Sequence, residues 1–212
     1  MKLQTIGMTV QQRAKRLAKT TLGFTRPPVT SSTPRRLHLG CGQVKIKGFC
    51  NVDIDRALLP DVRDNILELR KFPNGFAETI YACHVLEHVA HADVLPVLRR
   101  WYRVLAPGGE LRISVPDIDR IVAIYTENWA HFQQPGNSPW IGLIYGGQDD
   151  RYDFHKTGFN FNWASHLLEE AGFVEVSEYP HEPHWLGIRD ASMAHEPFGK
   201  YLSLNVKALR PA

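Results

Sequence analysis

From Arg36 onward, short apolar runs alternate with glycine, proline and acidic turns. Arg36 to Leu39 is a brief run that enters Gly40-Cys41-Gly42, and Cys50 to Ile54 is a second run interrupted by Asp53. Asp61 to Ile66 reads as a short strand followed by a turn, and Phe72-Pro73-Asn74-Gly75-Phe76 as a loop. Thr79 to Cys83 has the length and composition of a buried strand. The period then changes. From His91 to Leu105 the spacing predicts a helix with Leu95, Leu98, Tyr102 and Leu105 on one face, broken by Pro107-Gly108-Gly109. Glu110 to Val115 returns to strand and ends at Pro116-Asp117; Val174 to Val176 and Tyr201 to Lys207 read as strands near the end. Strand, turn, strand, helix, strand predicts an α/β domain with a parallel sheet and crossovers.

The first two runs carry the first chemistry. Glycines at 40 and 42 let the backbone turn sharply and let a ligand approach the main chain. Asp53 ends the second strand, and ligands of open α/β sheets sit beyond the carboxyl ends of strands. A carboxylate there can accept hydrogen bonds from both hydroxyls of a ribose. The dinucleotide fingerprint needs a third glycine and an acid about 20 residues on. Here Val44 and Lys45 follow Gly42-Gln43, and only eleven positions separate Gly42 from Asp53. That is too short for a crossover helix, so no helix N-terminus is available for a pyrophosphate. A nucleoside ligand without phosphates, such as S-adenosylmethionine (SAM), fits better, and a nicotinamide-dependent reductase is disfavoured.

At 212 residues the chain is long enough for one sizeable core, and 43% hydrophobic with 22% charged residues is ordinary for a globular protein. Cys41, Cys50 and Cys83 form no C-x-x-C pair and read as buried thiols in a reducing, cytoplasmic compartment. Residues 1–52 hold ten Lys or Arg and no acid, whereas the remainder holds fifteen basic and twenty-two acidic residues. The positive charge is thus N-terminal, and nucleic-acid binding by the acidic core is not expected. Val10, Ala14, Leu17 and Thr21 recur at helical spacing among Arg13, Lys15, Arg16 and Lys19, and a Pro/Ser/Thr-rich linker follows to Pro34. This segment reads as a solvated basic helix docked near the domain. Contact with a membrane surface or an acidic partner is one alternative, and an organellar leader is another. The expected organisation is an extension and linker over 1–34 and a domain over 35–212, with an insertion at about 118–162.

LHLGCG, NVDID, HVLEHV and RVLAPGGELRISVPD, in that order, resemble the class I SAM-dependent methyltransferases. The likeness is greatest to small predicted members whose first motif reads LHLGCG with a short loop before NVD. It covers Arg36 to Asp117 and resumes at Leu167 to Phe173. It implies a Rossmann-like, doubly wound, mostly parallel sheet with an antiparallel last strand. By the same resemblance Gly40, Cys41 and Gly42 line the cofactor's methionine end, and Asp53, with Ile54 beside it, holds the ribose. Asp64, Asn65 and Ile66 border the adenine, and His84 faces cofactor or substrate. One departure is the loop at Gln43 to Phe49, where most relatives place a helix. One sheet face is then undercovered, and Val10 to Leu22 is the candidate to cover it.

Transfer of a methyl from a sulfonium to a hydroxyl needs alignment and a base. His84 is expected to orient the acceptor and His155, in Asp153-Phe154-His155-Lys156, to take its proton, with Asp117 as the next candidate. His84, His88 and His91 have helical spacing, but no carboxylate or cysteine completes a familiar ligand set, so no metal is expected. The insertion is rich in aromatic residues, Tyr125, Trp129, Phe132, Trp140, Tyr145, Tyr152, Phe154, Phe159 and Phe161, and suits a substrate cover or a small separate core. The acceptor is expected to be a small molecule or a glycan, a sugar hydroxyl first. The rival reading is a catalytically inactive SAM-fold binding or assembly module.

Overall fold

The computed structural model describes residues 29–134, 139–195 and 199–212. Its strands are β1 (Arg36–Leu39), β2 (Cys50–Asp53), β3 (Val62–Arg63), β4 (Ala77–Cys83), β5 (Leu105–Pro116), β6 (Val174–Glu178) and β7 (Ser203–Leu209). They form one sheet in the order β3-β2-β1-β4-β5-β7-β6, parallel from β3 to β5, with β7 antiparallel to both its neighbours. This is the class I methyltransferase arrangement that the blocks of sequence implied.

Side chains alternate across a strand, so register fixes what each face presents. Leu37, Ile80, Leu111 and Ala208 form one row, and Leu39, Ala82, Ile113 and Val206 the next row on the same face. Both rows are sealed from solvent by α1 (Val94–Val104) and α5 (Phe161–Glu170). Helix α1 buries Val94, Val97, Leu98, Trp101 and Val104. Its inward stripe therefore centres on Trp101, and the expected Leu95 and Tyr102 lie at its margin. The Trp101 indole N–H donates to Ile66 O at 2.8 Å, so the largest core side chain leaves no polar atom orphaned. Strand β5 begins at Leu105, earlier than expected, because Leu105 already pairs with Ala77 on β4 and a register shift carries the chain through the glycine pair.

The opposite face is polar. Its central row is Asn51, His38, Tyr81, Arg112 and Lys207. No helix occupies the connection from β1 to β2, which is a loop as expected. Asn51 replaces the helix's internal hydrogen bonding. Its side chain accepts from Ile46 N at 2.8 Å and donates to Ile46 O, Phe49 O and Asp61. The pinned loop lays Ile46 and Phe49 over Tyr81, and Trp185, Leu186 and Ile188 complete the layer. Arg112 stacks on Trp185 with its guanidinium 4.2 Å from the ring centre. Asp190 holds this cover down by accepting from Tyr81 Oη at 2.6 Å and from Ser192 N and Oγ at 2.9 and 2.6 Å. The face expected to lack cover is therefore filled by the 46–49 loop and the 184–190 segment. Val10 to Leu22 lies outside the described residues.

Between β5 and α5 the chain forms α2 (Ile118–Glu127), α3 (Trp129–Phe132) and α4 (Pro139–Tyr145). Ile121, Ile124, Phe132 and Leu202 make a small core there, with Tyr125, Leu143 and Ile144 against it. Trp129, Tyr145, Tyr152 and Phe154 remain exposed, so the aromatic residues divide between packing and surface. Among the described residues no helix is long and apolar enough to cross a membrane.

Candidate active site

The strand order sets the carboxyl ends of β3, β2, β1, β4 and β5 side by side along one edge. Every candidate residue except His155 leaves one of these ends, and the insertion brings His155 to them. Gly40 has φ +60, and a Cβ there would lie 2.4 Å from Val85 Cγ2, so the loop after β4 permits no side chain. Gly42 also has positive φ, but a Cβ there meets nothing closer than Gly40 O at 3.9 Å. Its strain is conformational, and the space beside it is open to a ligand. The Asp53 carboxylate is 8% exposed. One oxygen accepts from Gly42 N and the other from Asp55 N, both at 2.9 Å. An ionised carboxylate accepts about four hydrogen bonds. Lone pairs therefore remain for further donors, as the expected ribose contact requires, and the glycine turn is locked to this acid.

Cys41 N continues the ladder to Val52 O at 3.0 Å. Burial pushes its thiol up to about 11, so it is neutral. Lys45, which the sequence reading passed over, swings back on the short loop and donates to Gly42 O at 2.6 Å and Cys41 Sγ at 3.0 Å. Ile54 O accepts from Arg63 Nε at 3.0 Å, tying the ends of β2 and β3. Asp64, Asn65 and Ile66 form one turn. Asp64 accepts from Asn65 N and Lys71 N at 2.8 and 2.9 Å, and Asn65 Oδ1 accepts from Leu67 N at 3.0 Å. These side chains brace the turn after β3, and their bonds are taken by the turn itself.

His84 leaves β4 with φ 51, an unusual conformation for a residue with a Cβ. Its Nε2 lies 2.8 Å from Ser203 Oγ, whose proton goes to Ala191 O, so the imidazole donates there. Its Nδ1 lies 3.3 Å from Glu87 Oε1. Glu87, in the short turn Leu86–His88, is 1% exposed. Burial pushes its carboxyl up, but His84 and His88 outweigh burial and hold it below its ordinary value. Neither oxygen receives an aligned hydrogen bond among the described residues. His88 Nε2 lies 4.0 Å from Glu87 Oε1, and the His88 and His155 rings meet edge to face at 5.0 Å. His155 is half-buried, and burial lowers its pKa. The structure thus brings His84 and His155 to one place with Glu87 and His88. His91 does not join them and stacks on Trp163 at 5.6 Å.

Asp117 differs from its expected role as a spare base. It caps α2, accepting from Asp119 N at 3.1 Å and Arg120 N at 3.5 Å, and pairs with Arg120 Nε at 2.7 Å. Burial raises its pKa, and Arg120 and the cap bonds oppose that rise. Its oxygens are committed to the helix start. The cover is also fixed rather than loose: Lys156 N and Thr157 N both donate to Glu87 O, at 2.7 and 3.2 Å, and Thr157 Oγ1 donates to Val89 O at 2.8 Å.

The sheet order, with a glycine turn bonded to a strand-end acid, is that of a class I SAM-dependent methyltransferase. Residues 29–178 match the family described as a methyltransferase domain, and the chain belongs to that family. No curated protein matches it in sequence. Solved structures share the fold. A SAM-dependent methyltransferase from Archaeoglobus fulgidus is 15% identical, with 94% of each chain covered and a TM-score of 0.53. The putative methyltransferase solved with the Haloferax volcanii Trm112 activator is 14% identical, over 95% of this chain and 92% of that one, with a TM-score of 0.52. A phosphoethanolamine N-methyltransferase from Haemonchus contortus, solved with S-adenosyl-L-methionine, is 13% identical over 94% of this chain and 53% of that one, with a TM-score of 0.51. The protein is a SAM-dependent methyltransferase, and SAM is its cofactor.

Proposed function

We propose that this chain methylates a hydroxyl of a small-molecule or glycan acceptor. The observation that carries the reading is the imidazole cluster at the end of β4, beside the strand that bears the glycine turn. Bound SAM supplies an electrophilic methyl on a sulfonium. Asp53 receives the ribose hydroxyls, and the Gly40–Gly42 turn admits the methionine end close to the backbone. The Lys45 ammonium, already at Gly42 O, complements the cofactor's carboxylate. A hydroxyl is a poor nucleophile until its proton is drawn away, and imidazole is suited to that task near neutral pH. His155 donates from Nδ1 to Leu143 O at 3.1 Å, which leaves the Nε2 lone pair to activate the acceptor. His84 is held at both ring nitrogens on the rigid strand end and orients it. The exposed rings of Tyr152 and Phe154 flank His155 and offer stacking surfaces to a sugar.

The test is a donor assay with SAM and a panel of sugars and small alcohols, amines and thiols, read as S-adenosylhomocysteine formed. Hydroxyl acceptors should turn over, and His155→Ala should lower turnover by about 10²-fold with SAM binding intact. Turnover of amines or thiols alone, or near-normal turnover by the variant, would overturn the reading.

A further inference from the structure

Glu87 presents a physical problem. A carboxylate 1% exposed has neither oxygen in an aligned hydrogen bond among the described residues, and an uncompensated buried charge costs several kcal/mol. Neutral His88 and His155 supply no donor to it. His88 Nδ1 faces Phe154 O at 3.2 Å and His155 Nδ1 faces Leu143 O at 3.1 Å. A carbonyl only accepts, so both Nδ1 atoms carry the proton. In the neutral rings Nε2 is then a bare lone pair. His84 Nε2 donates to Ser203 Oγ, and its Nδ1 faces Glu87 Oε1 at 3.3 Å as an ion-pair partner. A carboxylate and the lone pairs of His88 and His155 converge, with the Glu87–His84 pair beside them. Ligand atoms of Glu87, His88 and His155 all lie within 4.8 Å of one another.

Such a set attracts a cation. Ring nitrogens whose opposite N–H is fixed by a backbone carbonyl are the usual state of metal-bound histidines, because that bond sets tautomer and orientation. Two imidazoles and one carboxylate match a zinc-type catalytic set with an open position. Tetrahedral bonds of ~2.0–2.1 Å would bring the ligand atoms to ~3.4 Å, so about an ångström of side-chain closure is needed. We propose that Glu87, His88 and His155 hold a divalent transition-metal ion of the Zn2+ class, with His84 as the adjoining orienting group. The expectation of no metal rested on the lack of a carboxylate to join the histidines, and Glu87 is that carboxylate.

The ion's role, though not its binding, rests on the methyl-transfer reading above. The His155 lone pair would act through the ion. An acceptor hydroxyl on the open position becomes more acidic and loses its proton to water. Its oxygen then bonds to the methyl carbon as the carbon–sulfur bond breaks, and the sulfur keeps the electron pair as a neutral thioether.

The test uses the full chain, stripped with a chelator and titrated with Zn2+ by calorimetry, with bound metal counted by elemental analysis. One equivalent should bind, and Glu87→Gln and His155→Ala should each weaken Zn2+ by at least about tenfold. SAM is titrated separately into the metal-free protein. Glu87 is buried, so circular dichroism checks the fold of its variant. His88→Ala and His155→Ala, at less buried positions, carry the test if that variant unfolds. No stoichiometric Zn2+ binding, or affinity unchanged in both histidine variants, overturns the site. A chain that binds SAM but no Zn2+ would reject the metal and leave the methyl-transfer reading standing. Zn2+ binding without SAM binding would do the reverse.

Discussion

Asp53→Ala separates what the ribose acid does for the cofactor from what it does for the fold. The carboxylate accepts from Gly42 N and Asp55 N, both at 2.9 Å, before any ligand arrives. Alanine deprives both amides of a partner. Gly42 and Asp55 are only partly buried, so water can reach the vacated space and the stability loss should fall near the low end of the ~1–3 kcal/mol for an orphaned buried donor. The cofactor loses its charge-assisted bonds to the ribose hydroxyls, about 1.5–3 kcal/mol. At ~1.4 kcal/mol per decade this weakens SAM by roughly 10- to 150-fold. Asp53→Asn keeps one acceptor oxygen and the shape, but aims an NH2 at one of the two amides, so it should fall between alanine and the native residue. Calorimetry gives the affinities, and a ligand-free melt gives the stability cost. If both variants bind SAM within about twofold of the native chain and melt alike, the ribose does not sit at Asp53.

Three further outcomes follow from named contacts. Gly40→Ala should lower thermal stability by about 1–2 kcal/mol from φ alone, and more from the Val85 clash; a melt like the native one would mean the loop after β4 yields freely. Asn51→Ala should cost about 2–4 kcal/mol in chemical denaturation, since Ile46 N, Ile46 O and Phe49 O lose a buried partner together; a loss under about 0.5 kcal/mol would show that the short loop holds itself. At Asp190 burial raises the carboxyl pKa, but bonds from His184, Ser192 and Tyr81 outweigh it and hold the group well below its ordinary value. A depressed folded-state pKa adds stability that is present above about pH 4 and lost as pH falls below it. The native chain should therefore lose stability over that acid window, and Asp190→Asn, weaker at neutral pH, should show a flatter slope there.

What could be read along the chain was whatever local pattern dictates. Gly40, Gly42 and Asp53 were legible because turn, strand end and spacing lie in one stretch. The missing first helix was legible because too few residues separate Gly42 from Asp53. Asp117 was misread because an acid at a strand end looks the same whether it faces solvent or caps the next helix, and the residue that settles it, Arg120, is a turn further on. Glu87 could not be joined to the histidines from sequence because its setting depends on His155, far away in sequence and delivered by an insertion without a recognisable pattern. Lys45 was overlooked for a related reason. Only a loop that doubles back on Asn51 returns its ammonium to the glycine turn. The aromatic residues of the insertion could be listed but not sorted, since packing and exposure there depend on Leu202 from the far end of the chain.

The bonds joining the 154–157 segment to the Glu87 turn also bear on which acceptors can bind. Lys156 N, Thr157 N, Thr157 Oγ1 and His88 Nδ1 make four cross-links between the two segments. At ~0.5–1.5 kcal/mol net apiece, releasing all four costs about 2–6 kcal/mol. The detached cover would then be populated from about 3% to well below 0.1% of the time. An acceptor that must lift it binds only to that minority, and its apparent affinity falls by the same fraction. A slender acceptor that slips past the edge carries no such penalty. For acceptors that enter beneath this segment, selection would be a matter of girth as well as of chemistry, and lengthening the 146–153 stretch would leave the cross-links in place and so keep that filter.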